Sequence, residues 1–122
     1  MTRDTAPATL VSAGIDQLRE QNPYKEGRVS PARLFSDDDV RVMHLALAED
    51  AGLPDHSAPV PILVQVIEGR VRFDVEGESH ELGVGGMVHV AASVTHAVAP
   101  VGGAARILIT LLAPGGHHHP KA

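Results

Sequence analysis

Histidine is the residue type in this sequence with the widest chemical scope. The 122-residue chain has eight histidines and no cysteine, so imidazole nitrogens are its strongest ligands for a transition metal ion. Imidazole is also the side chain whose charge changes near neutral pH. The histidines are His44, His56, His80, His89, His96, His117, His118 and His119. They indicate either a metal site made of nitrogen and oxygen ligands or a site that responds to protons.

The composition argues against several other chemistries. Without cysteine the chain has no disulfide, iron–sulfur cluster or thiol nucleophile. Its 10 Lys and Arg are outnumbered by 15 Asp and Glu, for a formal net charge of −5, so we expect no nucleic-acid partner. The sequence lacks the G-x-S-x-G, Walker and G-x-G-x-x-G motifs, and we therefore expect no organic cofactor.

The length indicates a single domain, and the apolar pattern indicates that this domain does not enter a membrane. A chain of 122 residues has room for a single well-filled core. Its first residues lack the apolar centre of a signal peptide, and its most apolar run, residues 58–67, is short and contains proline. We expect no membrane partner and a cytoplasmic location.

The helices and strands that must position the histidines can be predicted from the spacing of apolar residues and from the positions of turn-forming residues. Residues 7–21 have apolar residues at helical spacing and are followed by Asn22-Pro23, which predicts one short amphipathic helix. From Gly27 onward, turn-forming clusters alternate with β-branched runs, which is typical of an all-β sandwich or barrel of about eight or nine short strands. We therefore divide the chain into an N-terminal helix and linker (1–27), a β-barrel (28–113) and a flexible tail that contains three histidines (114–122).

Individual strands can also be predicted. The polar cluster Ser36-Asp37-Asp38-Asp39 predicts a hairpin turn, because such side chains bond the nearby backbone. Ile62 to Ile67 is almost continuously apolar, which predicts a central strand buried on both faces. Apolar and charged side chains alternate along residues 71–75, which predicts a strand with one buried face and one solvent-exposed face. The glycine-rich residues 83–86 predict a further hairpin turn.

His56 and His96 have the most informative positions. His56 comes just before a predicted buried strand and His96 lies 40 residues later, next to another. Only a sheet that closes on itself brings two such positions together. The sequence therefore predicts a barrel with both imidazoles facing a common interior.

The spacing around His56 resembles the first motif of the cupin family. That motif has a His-x-His pair, a Glu four residues beyond the second His, and a Gly seven residues beyond the Glu. With Gly69 as the motif glycine, the three ligand positions fall on His56, Ala58 and Ile62. Residues 65–69, Gln-Val-Ile-Glu-Gly, are also similar to the family pattern.

The second cupin motif opens with a Gly and ends in a His eleven residues later. Gly85 and His96 have this spacing, and the resemblance covers about residues 28–113. It implies an all-β, cupin-type double-stranded β-helix, a jelly-roll barrel of two antiparallel sheets, with the short helix outside. It also implies pairing through sheets and N-terminal segments, so we expect a homodimer.

The departures from the cupin pattern decide what the site can hold. Ala58 and Ile62 stand where the family has a His and a Glu, so two of the four ligands are missing. His89 or His44 could supply a third nitrogen if its strand turned it inward. We predict a site for Zn, Cu, Ni or Fe held by His56, His96 and His89, and we assign no function to His80 or to residues 117–119.

The sequence leaves the function open between three hypotheses. In the first, the metal site assists a reaction on a small molecule or binds that molecule. In the second, a metal-free pocket lined by Val, Leu and Ile binds a small ligand or senses pH. In the third, the chain is a dimerising accessory domain with a vestigial site. Whether the protein is an enzyme is left open by these alternatives.

Overall fold

The computed structural model describes residues 7–113, which form two antiparallel β-sheets preceded by one short helix. The helix is α1 (Ile15–Gln21). The strands are β1 (Val29–Ser36), β2 (Val40–Leu47), β3 (Leu53–His56), β4 (Ile62–Glu68), β5 (Val71–Val75), β6 (Glu78–Leu82), β7 (Met87–Val90), β8 (His96–Pro100) and β9 (Ala105–Leu112). The predicted all-β architecture with a short N-terminal helix is confirmed.

The chain alternates between the two sheets as it proceeds. The five-stranded sheet has the order β1-β2-β9-β4-β7, and the four-stranded sheet has the order β3-β8-β5-β6. After the β1–β2 hairpin, most connections cross from one sheet to the other. This winding pairs strands that are far apart in sequence, such as β3 with β8 and β2 with β9.

The hairpin predicted around residues 36–39 joins β1 and β2. The backbone N–H of Asp37 donates to the carbonyl oxygen of Val40 at 3.0 Å. The Asp37 carboxylate accepts hydrogen bonds from the N–H groups of Asp39 (2.8 Å) and Val40 (2.9 Å). The side chain therefore closes the turn in the way that the polar cluster predicted.

The core lies between the sheets and is built from alternate residues of each strand. Val71 and Phe73 are 0% and 1% exposed while Arg72 is exposed, as predicted for β5. In β4, which pairs with β7 and β9, the residues Ile62, Val64 and Val66 are buried. The prediction of a strand buried on both faces was too strong, because the alternate residues of β4 lie on the outside of the barrel and are half-buried.

Two further sequence predictions need correction. The helix begins at Ile15 and not at residue 7, since Gly14 has φ 152° and ψ −177° and cannot continue a helix toward the N-terminus. Its end before Asn22-Pro23 is confirmed. Residues 83–86 are not a hairpin turn, because β6 belongs to the four-stranded sheet and β7 to the five-stranded sheet. Within residues 7–113, no helix has the length and apolar content needed to cross a membrane.

Candidate functional site

His56 and His96 are neighbours across two paired strands. His56 ends β3, His96 begins β8, and the two residues are register partners in the four-stranded sheet. Their ring centroids are 4.3 Å apart, and the ring planes meet at 61°. The winding of the chain between the sheets thus brings together two imidazoles that are 40 residues apart in sequence.

The two rings differ in exposure. His96 is 3% exposed and stacks on Phe73, with 5.6 Å between ring centroids and 12° between planes. Phe73 belongs to the apolar cluster between the sheets, whereas His56 is exposed. The pair therefore lies at the boundary of the barrel interior, with His96 fixed by the core and His56 open to solvent.

Backbone carbonyl groups determine which nitrogen of each ring carries the proton. Nδ1 of His56 is 2.8 Å from the carbonyl oxygen of Pro54, and Nδ1 of His96 is 3.0 Å from that of Val94. Because a carbonyl oxygen only accepts hydrogen bonds, each Nδ1 must be the donor. Each neutral ring then has its lone pair on Nε2, and no hydrogen bond within residues 7–113 engages either Nε2 atom. This is the tautomer and outer support of a metal-binding histidine.

The remaining cupin ligand positions are apolar. Ile62 is 3% exposed in the core, and Ala58 packs against the same cluster. Neither side chain has a lone pair to offer. Across the part of the chain that the structure describes, no group of three or more His, Asp or Glu side chains is placed to hold a metal ion. The pair therefore supplies two nitrogen donors.

His89 lies on a different face from the pair. It is exposed and pairs with Leu63 across β7 and β4. Its neighbours Val88 and Val90 point toward the core, and Val90 is 3% exposed. Since side chains alternate along a strand, His89 points to the outside of the barrel, and the structure does not bring it to His56 and His96.

His44 also points outward, but it is buried. Leu45 and Leu47 of β2 belong to the core, so His44 lies on the outer face of the five-stranded sheet, where it is 0% exposed. Its Nε2 is 3.3 Å from Nη1 of Arg106. Burial and the neighbouring Arg106 charge lower the pKa of His44 from 6.5 to about 4, against a smaller opposing effect of Glu68. The ring is thus neutral at physiological pH.

A buried polar cluster around Arg106 was missed by the sequence analysis. Arg106 is 2% exposed, contacts His44, and forms a 3.1 Å ion pair with Glu68. One signal was available in the sequence, namely a charged residue inside the apolar run 105–112. A buried guanidinium must be paired, so this position already implied a carboxylate partner.

The other histidines stay apart from the pair. His80, to which we assigned no function, is exposed, with its Nε2 3.5 Å from the Glu78 carboxylate. His117, His118 and His119, with the rest of the predicted tail 114–122, lie outside the described residues.

A cavity of about 480 Å³ lies near the pair, although neither histidine lines it. Its wall includes Asp55 and Thr95, which directly precede His56 and His96, and Val75, the register partner of His96. The full lining is Asp55, Asp74, Val75, Glu76, Gly77, Ser93, Val94 and Thr95. Three carboxylates and no basic side chain line it; Asp74 is paired with Arg72 at 3.3 Å, and the charges of Asp55 and Glu76 make the cavity favourable for positively charged occupants. This differs from the Val, Leu and Ile lining that the metal-free hypothesis expected.

Comparison with known proteins gives fold neighbours. No protein-family model and no curated protein matches the chain. A conserved Streptococcus pyogenes protein of unknown function is 18% identical, with a TM-score of 0.71 and 91% of each chain covered. A cupin superfamily protein from Desulfitobacterium hafniense DCB-2 is 19% identical, with a TM-score of 0.72, over 78% of this chain and 86% of its own.

A third structure is similar to the chain in fold. It is an RmlC-like cupin family protein with a double-stranded β-helix fold from Methanocaldococcus jannaschii, 15% identical, with a TM-score of 0.66 and coverage of 77% of this chain and 90% of its own. Together with the two-sheet topology and the paired motif histidines, these likenesses show that the chain has the cupin fold.

Proposed function

We propose that this cupin-fold protein binds a divalent transition metal ion through Nε2 of His56 and His96, and that the ion's open positions bind a small molecule. The observation that carries the proposal is the tautomer of both rings. The carbonyl groups of Pro54 and Val94 hold each Nδ1 as a donor. Two neighbouring rings, with centroids 4.3 Å apart, therefore each have an Nε2 lone pair available without any proton having to leave.

The donor set determines how such an ion would bind. Two imidazoles leave about two to four coordination positions for water or a small molecule, depending on the metal. Zn²⁺, Cu²⁺, Ni²⁺ and Fe²⁺ all accept imidazole, and a bound ion of this kind supplies Lewis-acid polarisation. Because Ala58 and Ile62 contribute no ligand, we expect weaker binding than at a site with four protein ligands.

The acidic cavity beside the pair supports a cationic occupant. Asp55, Asp74 and Glu76 line it, and a cleft lined by one sign of charge raises the local concentration of ions of the opposite sign. None of the three is placed with the histidines as a third protein ligand. Their contribution in this proposal is long-range attraction.

A metal-free binding site is the second candidate, and the apolar residues at two ligand positions favour it. Ala58 and Ile62 make the inner wall unsuited to a four-ligand metal centre. Two neutral imidazoles with free Nε2 lone pairs also accept hydrogen bonds. In this case the pair would bind a small molecule that carries N–H or O–H donors.

Calorimetric titration with Zn²⁺, Cu²⁺, Ni²⁺ and, without oxygen, Fe²⁺ tests the first proposal. The full chain would carry His117→Ala, His118→Ala and His119→Ala, so that these three imidazoles cannot bind the added metal. We expect one ion per chain. His56→Ala or His96→Ala should weaken binding at least about tenfold, or about 1.4 kcal/mol.

His89→Ala and His80→Ala are the matched controls and should leave the affinity unchanged. Since His56 is exposed, His56→Ala should fold, and circular dichroism checks this. If none of the four ions binds the folded protein, the metal proposal fails. A small molecule that co-purifies with metal-free protein, and is lost in His96→Ala, would then establish the second candidate.

A further inference from the structure

Glu68 joins three elements on the outer face of the five-stranded sheet. Its carboxylate accepts hydrogen bonds from Nε of Arg19 (2.6 Å), Oη of Tyr24 (2.5 Å) and Nε of Arg106 (3.1 Å). Arg19 lies on α1, Tyr24 follows α1, and Arg106 is on β9. One carboxylate of β4 thus ties the segment around the helix to the barrel.

Arg106 makes the second set of ties. Its Nη1 donates to the backbone carbonyl of Asn22 at 2.7 Å and approaches Nε2 of His44 at 3.3 Å. Its guanidinium carbon lies 4.2 Å from the centroid of the Tyr24 ring. Asn22, which is 4% exposed, donates from its amide to the carbonyl oxygen of Ser30 at 2.8 Å. We call residues 15–25 the strap and these contacts the latch.

Besides the latch, the strap has one further side-chain tie to the barrel, a hydrogen bond from Nζ of Lys25 to Oγ of Ser30 at 3.0 Å. Its helix has seven residues, and a helix of that length is unstable alone in water. Among the helix residues, only Leu18 is fully buried. Docking of the strap therefore depends on the latch, the Lys25 hydrogen bond and one apolar anchor.

The latch contains two groups that gain a proton in acid. Burial and then the Arg106 charge lower the pKa of His44 to about 4, with Glu68 opposing. For Glu68, partial burial raises the pKa, but hydrogen bonds from Tyr24, Arg19 and Arg106 outweigh it and hold the pKa below its usual value. The charged groups that face these two residues are Arg106 from β9 and Arg19 from α1, and Arg19 also pairs with Asp16 at 2.9 Å.

We propose that the strap is an acid-released element, which leaves the barrel when His44 and Glu68 gain protons while the two sheets stay folded. A protonated His44 puts a second positive charge beside the buried Arg106 and no longer accepts its hydrogen bond. A protonated Glu68 no longer neutralises Arg106 and Arg19. His44, Glu68 and Arg106 lie against the strap on the outer face of the five-stranded sheet, away from the apolar cluster between the sheets, so both changes act first on the contacts with the strap.

The direction of the pH dependence follows from the two lowered pKa values. A group whose pKa is lower in the docked state stabilises docking above its free pKa and loses this contribution as the pH falls. For His44, whose pKa is about 4 with the strap docked and 6.5 for a free ring, docking weakens as the pH falls through this range to the extent that undocking exposes the ring to water. Glu68 adds a further loss in the same direction at lower pH. The inference is independent of whether His56 and His96 bind a metal.

Hydrogen exchange measured by mass spectrometry tests the proposal on the full chain. After correction for the pH dependence of intrinsic exchange, peptides of the strap should lose protection by about tenfold or more between pH 8 and pH 5. Peptides of β4 and β9 should change far less. The proposal is overturned if strap protection is unchanged, or if it is lost only together with that of β4 and β9.

Two matched pairs of variants separate the roles of the latch residues. His44→Gln keeps a neutral acceptor for Arg106 and should remove the loss of protection at pH 5, whereas His80→Gln, at an exposed position, should keep it. Glu68→Gln should loosen the strap already at pH 8, by about tenfold or more, whereas Glu81→Gln, in the exposed pair with Arg70, should not. Equal behaviour of Glu68→Gln and Glu81→Gln would contradict the proposal, and the pH series of the unmodified protein decides it even if a variant fails to fold.

Discussion

The orientation of His96 depends on a residue that makes no polar contact. Phe73 is 1% exposed, and its ring lies nearly parallel to that of His96, so it restricts the plane in which the imidazole can rotate. The carbonyl of Val94 then determines which edge of the ring faces the backbone. Together they fix the direction of Nε2 of His96, whereas the exposed His56 is supported only by the Pro54 carbonyl and the edge of the His96 ring.

Phe73→Leu should therefore affect both stability and the site. We expect the free energy of unfolding to fall by about 1–3 kcal/mol, because the smaller side chain leaves a cavity in the core. Loss of outer support should also weaken metal binding about tenfold. Urea unfolding and calorimetric titration measure the two effects. The other phenylalanine of the chain, Phe35, is half-buried in β1 and provides the control. Phe35→Leu should leave the metal affinity unchanged. An equal loss of metal affinity in both variants would argue against a positioning role of Phe73.

At the residue scale, the sequence predicted the two histidines that meet in the candidate site. It did not predict which face of the barrel His89 and His44 occupy. The positions of His56 and His96 followed from motif spacing alone, because a closed sheet brings such positions together. The faces of His89 and His44 depend on strand register, and a shift of one residue reverses them. The Arg106–Glu68 contact joins residues 38 positions apart, and no local pattern identifies such a partner.

At the element scale, the β4–β5 turn shows how close packing of two strands limits the sequence. Gly69 has φ +76°, and a Cβ there would lie 2.5 Å from the carbonyl oxygen of Ala104. Gly77, between β5 and β6, has nearly the same φ, +79°, but a Cβ there would meet nothing within 4 Å. The two glycines thus separate the effect of backbone conformation from the effect of close approach.

Gly69→Ala should destabilise the protein more than Gly77→Ala. Both variants carry the cost of a left-handed backbone for a residue with a side chain, about 1–2 kcal/mol. Only Gly69→Ala also forces the β4–β5 turn away from the segment that leads into β9, and we expect an additional loss of at least about 2 kcal/mol. Urea unfolding at pH 7.5 gives the difference. Equal losses would mean that the β4–β5 turn moves freely.

Elements with strong local signals were predictable, and those defined by long-range contacts were not. Alternation identified β5, and the aspartate cluster identified the β1–β2 turn. The start of α1 was misplaced because apolar spacing extends back to Val11, whereas the backbone conformation of Gly14 prevents the helix from extending further toward the N-terminus. Residues 83–86 have the composition of a hairpin turn. They connect two different sheets, which only the topology of the whole fold shows.

At the scale of the whole molecule, the two sheets and the strap share one network of contacts at neutral pH. β9 lies between β2 and β4 in the five-stranded sheet, its Ile107 is in the core, and its Arg106 belongs to the latch. Unfolding of β9 therefore removes both the core and the docking surface of the strap. The homodimer and the cytoplasmic location inferred from the sequence stay predictions.

This shared strand predicts one cooperative transition at pH 7.5. Tyr24 is the only tyrosine in a chain without tryptophan, so its fluorescence reports on the strap, while far-ultraviolet circular dichroism reports on the sheets. We expect the two urea curves to coincide.

Ile107→Ala, at a position with 0% exposure, should lower the free energy of unfolding by about 2–5 kcal/mol and move both curves equally. Met87→Ala, at a position with 55% exposure, should change it by less than about 0.5 kcal/mol. Curves that separate at pH 7.5 would show that the strap undocks independently of the barrel even with the latch intact, which would contradict the coupling through β9.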